Sequence, residues 1–333
     1  MSTVDPHFIV IERGALSKVD DFLEDYQRPV FITDDLLYSE YRESVENLMG
    51  QEQTWLLVSE YENDVPSKVV DRDVILGFGG GRSLDTAKLL ARNTGLAWIA
   101  VPTAASHDGI ASDVASVSHD GYKYSVKCKS PIGVIADLSI IERAPPKLRL
   151  AGIGDIISKA SSLAEWRLAH EERNEPFEKR VYALVESALE SVLNSESLET
   201  LVRAEIDAGR AMSIFGSSRP CSGTEHAISH SMDRQSVELH GLQVAFATPL
   251  CLYYLREAGY ADYQAEDLHG FLVEREMPAT LEDLDVSNDQ LLDHVHHALD
   301  IMKRRSRYSV LQHLEVEDPD MLKTLTKLGY SED

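Results

Sequence analysis

Asp155, His226, His230 and His240 carry side chains suited to binding a divalent metal. In Cys221-Ser222-Gly223-Thr224-Glu225-His226-Ala227-Ile228-Ser229-His230 the two histidines stand four residues apart, which puts both on one face of a helix. His240-Gly241 follows at a predicted helix boundary, and Asp155 is expected to open an earlier helix after Gly152-Ile153-Gly154. Imidazoles and a carboxylate with coordination positions left open suit zinc or a similar ion. The spacing alone is weak evidence, because histidines on helices are usually structural or solvated and no H-E-x-x-H signature is present. His294, His296 and His297, in a polar helical region, are expected to form a solvated face.

A second chemistry-bearing stretch begins at Val74. The apolar run Val74-Ile75-Leu76 enters a glycine cluster that includes Gly79, Gly80 and Gly81, then Arg82 and Ser83, and a helix-compatible segment carrying Asp85 leaves it. Glycines let a backbone approach a ligand closely, and the free N–H groups of a helix start attract an anion. Arg82 and Leu84 stand where G-x-G-x-x-G would need glycine, and no Gly-Lys-Ser/Thr completes a Walker A loop. What remains is either a pyrophosphate cradle or a plain tight turn. A second apolar run, Trp98 to Val101, delivers the loop Pro102-Thr103-Ala104-Ala105-Ser106-His107-Asp108-Gly109. Asp34 follows another strand run; it is placed to accept from an adenosine ribose hydroxyl, favouring NAD over NADP, or to cap the next helix.

The elements that must position these residues follow from periodicity. Strand runs are predicted at Phe8–Ile11, Val30–Thr33, Trp55–Val58, Val74–Phe78, Trp98–Val101 and Gly133–Ala136, with amphipathic helices at Leu16–Tyr26 and Leu37–Met49 between them. Such alternation argues for a largely parallel sheet covered by helices. Within 114–128, Asp120-Gly121 predicts the tight turn of an antiparallel hairpin. Beyond Pro145-Pro146 the pattern turns helical, with segments at Asp155–His170, Pro176–Leu193, Ser197–Phe215, Glu225–Glu238 and Gln243–Ala258. The expectation is an α/β, Rossmann-like nucleotide-binding domain over 1–144 and an all-α, metal- and substrate-binding domain over 145–333.

A chain of 333 residues with 43% hydrophobic content supplies an ordinary core for each half. The formal net charge of −24 repels nucleic acid, so no nucleic-acid partner is expected, and any phosphate ligand needs local positive compensation. Cys128, Cys221 and Cys251 are widely spaced without a C-x-x-C pair, against a disulfide framework or thiolate zinc site. With no signal-peptide pattern and no apolar stretch of membrane-spanning length, the expectation is a cytoplasmic chain that is not inserted in a membrane.

The ordered blocks Gly-Gly-Gly-Arg-Ser-Leu-Asp (79–85), Pro-Thr-Ala-Ala-Ser-His-Asp-Gly (102–109), Gly-Asp-Ile-Ile-Ser-Lys (154–159), Ser-Arg-Pro-Cys-Ser-Gly-Thr-Glu-His (218–226) and His-Gly-Leu-Gln-Val-Ala (240–245) together resemble sn-glycerol-1-phosphate dehydrogenases. That family belongs with glycerol dehydrogenases, iron-dependent alcohol dehydrogenases and dehydroquinate synthase, and the resemblance implies their dehydroquinate synthase-like fold. It further implies reversible reduction of dihydroxyacetone phosphate by NADH or NADPH to sn-glycerol 1-phosphate, for archaeal-type ether-lipid backbones, in a homo-oligomer. By the same resemblance, Asp155, His226 and His240 ligate a catalytic metal, usually zinc, and Asp108 and His230 contact substrate with Asp155 close by. Gly79 to Asp85, Thr103 to Ser106 and Ser112 then hold the nicotinamide cofactor. Because the chain is so acidic, a substrate phosphate needs local positive charge; Lys159, Arg305 and Arg307 are candidates for it, or are ordinary surface charges. Alternative readings are a polyol dehydrogenase or a dehydroquinate-synthase-like lyase of the same fold and, more remotely, a non-catalytic nucleotide-binding protein.

Overall fold

Short runs of Val, Ile, Phe and Trp form the strands β1 (Phe8–Glu12), β2 (Pro29–Thr33), β3 (Thr54–Leu57), β4 (Val74–Gly79) and β5 (Ala97–Pro102). An antiparallel pair, β6 (Val114–His119) and β7 (Tyr122–Lys127), precedes the last strand, β8 (Gly133–Asp137). The computed structural model describes residues 5–61, 66–119, 122–235 and 238–331, so the predicted Asp120-Gly121 turn lies outside the described residues; the helix expected over 225–238 ends at Met232, followed by a short 3₁₀ turn, with 236–237 outside them. β1 to β5 and β8 make one parallel sheet in the order β1-β8-β5-β4-β2-β3. β2, β4 and β8 are buried along their whole lengths, as a sheet covered on both faces requires.

Strand order reverses between β2 and β4: β2 leads outward to β3, while β4 leads the other way to β5 and β8. The carboxyl ends at this reversal are Thr33 and Gly79, and open α/β sheets bind nucleotides there. Helix α1 (Asp35–Leu48) follows β2 and helix α2 (Gly81–Thr94) follows β4. Tyr41 of α1 meets Phe78 edge-on at 5.6 Å, and Phe78 meets Trp55 at 6.1 Å, so aromatic packing fixes α1 on the sheet next to the reversal.

The remaining helices are α3 (Leu138–Ile141), α4 (Pro146–Ile157), α5 (Lys159–Arg173), α6 (Lys179–Leu193), α7 (Leu198–Phe215), α8 (Thr224–Met232), α9 (His240–Glu257), α10 (Ala265–Glu274), α11 (Asn288–Arg304), α12 (Val310–His313) and α13 (Asp318–Leu328). One compact unit comprises the chain up to 149 together with 195–214, and the other comprises 150–194 and 215 onward. Most of α7, though it lies in the helical stretch of the sequence, therefore packs with the sheet. The Cβ that Gly209 lacks would fall 2.6 Å from the Asp108 carbonyl, and Ser213 Oγ accepts from Asp113 N at 2.9 Å.

Two expected elements differ. The Leu16–Tyr26 segment forms two short 3₁₀ turns, Ala15–Lys18 and Asp20–Phe22, rather than one α-helix. Its apolar residues Leu16, Val19 and Phe22 recur every third position, the repeat that a 3₁₀ turn stacks on one side. Asp155 does not open a helix; it sits in the last turn of α4, after Gly152 and Gly154, which are themselves helical. Gly154 serves packing rather than a break: a Cβ there would overlap Gly241 O, and one on Gly241 would overlap Ala151 O. Gly241→Ala should therefore force α4 and α9 apart and destabilise the fold by about 1–3 kcal/mol, the cost of overpacking. Urea unfolding compared with the parent chain measures it.

Candidate metal and cofactor sites

The helical unit brings Asp155, His226 and His240 together: one donor atom from each lies within 4.8 Å of the others. Asp155 is fully buried at the end of α4, His226 sits in the first turn of α8 and His240 is the first residue of α9. Asp155 Oδ1 stands 3.4 Å from His226 Nε2. Each imidazole is oriented through its other nitrogen. His226 Nδ1 lies 2.7 Å from Glu225 Oε1, and that carboxylate also accepts from Gly223 N at 2.7 Å and Ser161 Oγ at 2.9 Å. His240 Nδ1 lies 2.8 Å from Ser229 Oγ, which donates in turn to Gln243 Oε1 at 2.7 Å. Ser229 Oγ is therefore an acceptor toward His240, Nδ1 carries the proton, and Nε2 is left with its lone pair. Orientation of this kind around a carboxylate and two imidazoles fits a divalent ion of the zinc type.

Electrostatics agree with a site built for a cation. Burial opposes ionisation of Asp155, but Lys159, then His226 and His240, outweigh it and hold the carboxyl well below its usual range. Burial, with His226 and His230 nearby, keeps the His240 imidazole neutral well below its ordinary value. Burial also lowers the His226 value, but hydrogen bonds to Asp155 and Glu225 raise it overall. Lys159, expected as a phosphate contact, is fully buried and paired with Asp155 Oδ1 at 3.0 Å. Its charge offsets that of the carboxylate instead.

His230 stacks on His240 with ring centres 5.6 Å apart, and its Nδ1 lies 3.7 Å from Asp233 Oδ2. With Asp233 and His240 it makes a second group of potential ligand atoms. The His294–His297 set is not the solvated face expected. His294 is buried, and both His294 Nδ1 and His297 Nδ1 lie within 3.0 Å of Ser231 Oγ, so α11 uses them to grip α8. Only His296 of the three reaches outward, to Asp318 Oδ1 at 2.7 Å.

In the sheet unit, Gly80 caps α2 without a side chain, leaving the first-turn amides of Gly81, Arg82 and Ser83 without a side-chain cap. Gly79 adopts φ 155°, and a Cβ there would meet Ser83 Oγ at 2.4 Å, so the turn needs glycine. Ser83 Oγ and Thr33 Oγ1 are buried at the strand reversal with no hydrogen-bond partner among the described residues. Unfilled amides and hydroxyls at this place fit a dinucleotide phosphate. Thr103 N donates to Gly79 O at 3.1 Å and ties the second loop to the first. Arg82 is exposed, while Ser106 and Asp108 are half-buried on the 103–113 loop. Asp34 does cap α1, its Oδ1 accepting from Leu37 N at 3.0 Å.

Asp85 does different work from the cofactor contact expected. Its Oδ1 pairs with Lys88 Nζ at 3.0 Å and its Oδ2 accepts from Ser116 N at 3.1 Å. Lys88, fully buried, also donates to Gly109 O, Ser112 Oγ and Val114 O at 2.7, 3.2 and 2.9 Å. Ser112 is thus part of a cluster that fixes the loop bearing Asp108. Sequence reading missed Lys88, Thr33, Glu225 and Asp233. The signals were local: Lys88 stands three residues after Asp85, Asp233 three after His230, and Glu225 directly before His226.

A family model described as iron-containing alcohol dehydrogenase matches residues 10–145. A probable glycerol dehydrogenase from Sinorhizobium meliloti superposes with a TM-score of 0.74 at 21% identity, covering 97% of this chain and 96% of that one. The fold is that of the iron-containing alcohol dehydrogenases and dehydroquinate synthase. The chain is 32% identical to the glycerol-1-phosphate dehydrogenase, NAD(P)+, of Natronomonas pharaonis, with 92% of each covered. It is 31% identical to the protein of the same name from Thermofilum pendens, with 97% of each covered. The chain belongs to the glycerol-1-phosphate dehydrogenase family.

His230 allows a test of the site's electrostatics. Burial, reinforced by Arg305 and His226 and opposed by Asp233, lowers it from 6.5 to about 4. Between those values an unfolded chain binds the proton and the folded chain does not. The stability linked to a neutral His230 is fully present above its unfolded value and is lost as pH falls toward 4. His230→Gln should consequently lose less melting temperature than the parent between pH 7 and pH 5. Equal losses in the two would show that His230 protonates freely in the folded chain.

Proposed function

We propose that this chain reversibly reduces dihydroxyacetone phosphate with NADH or NADPH, giving sn-glycerol 1-phosphate. The observation that carries the reading is the buried Asp155–His226–His240 group with both imidazoles held through Nδ1, in a chain that aligns along almost its whole length with enzymes of that name. In this reading the sheet unit, the chain up to 149 with 195–214 rather than the 1–144 expected from sequence, is the nucleotide-binding domain, and the helical unit carries metal and substrate. The amides of Gly79 to Ser83, with Ser83 Oγ, receive the cofactor phosphates; Asp34, Thr103, Ser106 and Ser112 complete that contact or support it.

Asp155, His226 and His240 would hold one divalent metal, zinc by the chemistry of the donors. Such an ion supplies Lewis-acid polarisation of a ketone oxygen and stabilises the negative charge that hydride delivery places on it. The side chains of the protein do the positioning. Glu225 and Ser229 fix the imidazole tautomers, and Lys159 offsets the Asp155 charge before any ion binds. His230, neutral at physiological pH, would hold a substrate oxygen by a hydrogen bond, and Asp108 is the substrate contact proposed for the sheet unit. A cytoplasmic homo-oligomer is the setting proposed with this activity.

Absorbance at the reduced-nicotinamide band tests the proposal, with dihydroxyacetone phosphate and dihydroxyacetone offered in turn alongside NADH and then NADPH. Oxidation with the phosphate ester, followed by chiral analysis giving the 1-phosphate, is the expected result. Turnover of dihydroxyacetone alone would overturn the substrate. Glu225→Gln, which removes the charged partner of His226, should weaken zinc binding by about 10- to 100-fold in chelator competition.

A further inference from the structure

Asp155 and Lys159 face each other across the junction of two helices. Asp155 lies in the last turn of α4, Ser158 keeps helical φ and ψ of −61° and −19°, and Lys159 opens α5. The two side chains therefore stand four residues apart on one nearly continuous helical face, where Lys159 Nζ meets Asp155 Oδ1 at 3.0 Å with neither side chain exposed. A lysine ordinarily carries its ammonium group out to water along a flexible stem. This one brings it in to the candidate metal group.

The oxygen it meets is the one that faces an imidazole. Asp155 Oδ1 stands 3.4 Å from His226 Nε2, and His226 Nδ1 is turned to Glu225 Oε1 at 2.7 Å, so the nitrogen toward Asp155 is the one that offers a lone pair. An ion held by that nitrogen and by Asp155 shares the carboxylate with an ammonium group already at hydrogen-bond distance. A divalent and a monovalent cation on one carboxylate repel each other, and a buried site has little water to screen them. Glu225, behind His226, acts in the opposite sense by adding negative charge to the group. Before an ion binds, however, Lys159 is what makes an ionised Asp155 tolerable at zero exposure.

We propose that Lys159 is a built-in competitor for the divalent ion: it neutralises Asp155 until the ion binds and lowers the affinity of the site for that ion. This rests on the metal reading under Proposed function and adds the residue that sets how tightly the ion is held. The consequence is a chain that folds without its metal and takes up the ion reversibly.

The test uses full-length chain stripped of metal with a chelator and then dialysed, as the parent and as the Lys159→Met, Lys159→Gln and Glu225→Gln variants. Zinc affinity is read by competition with a chromogenic chelator, and melting temperature is read with and without zinc. Both Lys159 variants should bind zinc about tenfold or more tighter than the parent, the scale on which residues behind the ligands change metal affinity. Both should also melt lower than the parent without metal and gain more from zinc, because Asp155 has lost the ammonium group that balanced it until the ion arrives. Glu225→Gln, a loss of charge of the opposite sign, should bind zinc more weakly. Lys159→Gln keeps a hydrogen-bond donor for Asp155 and covers the case in which Lys159→Met folds only with zinc. Zinc affinity unchanged or weakened in the folded Lys159 variants would overturn the proposal and leave the metal reading standing, since a lysine that merely braces the helices would lower stability and affinity together. Zinc taken up by the Lys159 variants but not by the parent would uphold the competition and sink the metal-dependent reading of the parent. Absence of zinc binding in all of them would sink both.

Discussion

One buried carboxylate oxygen, Asp155 Oδ1, governs the helical unit. It stands 3.0 Å from Lys159 Nζ and 3.4 Å from His226 Nε2, with no exposure to water. An ionised group there is tolerable only with positive partners around it, so everything next to it must supply or balance charge. His226 calls for Glu225, and buried Glu225 and Glu165 lie near Arg219 and the amides of Gly223, Thr224 and Val310. The close approach of α4 and α9 at Gly154 and Gly241 lets Asp155 and His240 share one small volume.

The sheet unit solves a similar problem by similar means. There too a buried lysine answers an aspartate on its own helix, Lys88 with Asp85, as Lys159 does with Asp155 across the α4–α5 junction. The lysine in the sheet unit spends its remaining hydrogen bonds on carbonyls and a hydroxyl of the 109–114 loop. Burying an ammonium group is expensive, and full satisfaction by oxygen acceptors is what makes it a clamp rather than a defect. The loop carrying Asp108 is thus fixed from beneath by Lys88 and from the side by Gly209 and Ser213.

The strands, the parallel sheet and the hairpin strands were legible in the sequence because their apolar runs are short, β-branched and bounded by turn residues. The metal-ligand candidates were legible only as separate histidines and an aspartate; their meeting depends on long-range packing that spacing does not encode. Gly152 and Gly154 read as a helix break because glycine has poor helix propensity, yet each sits mid-helix where a neighbouring backbone leaves no room for a Cβ at Gly154. The histidines of α11 read as solvated because their segment is acidic, but a helix face is chosen by its partner, and Ser231 of α8 is the partner. The only mark of Lys88 in the sequence is its place three residues after Asp85, since burial of a cation leaves no compositional trace.

The assignment of 195–214 to the sheet unit has a consequence for how the chain is made. During synthesis the nascent sheet emerges first but lacks the helix that supports its Asp108 loop until some fifty further residues have been translated. Those intervening residues, α5 and α6, emerge before most of their own packing partners exist. The order of translation therefore differs from the order in which compact pieces can close, and a fragment ending at residue 145 would leave the ribosome with its loop uncovered.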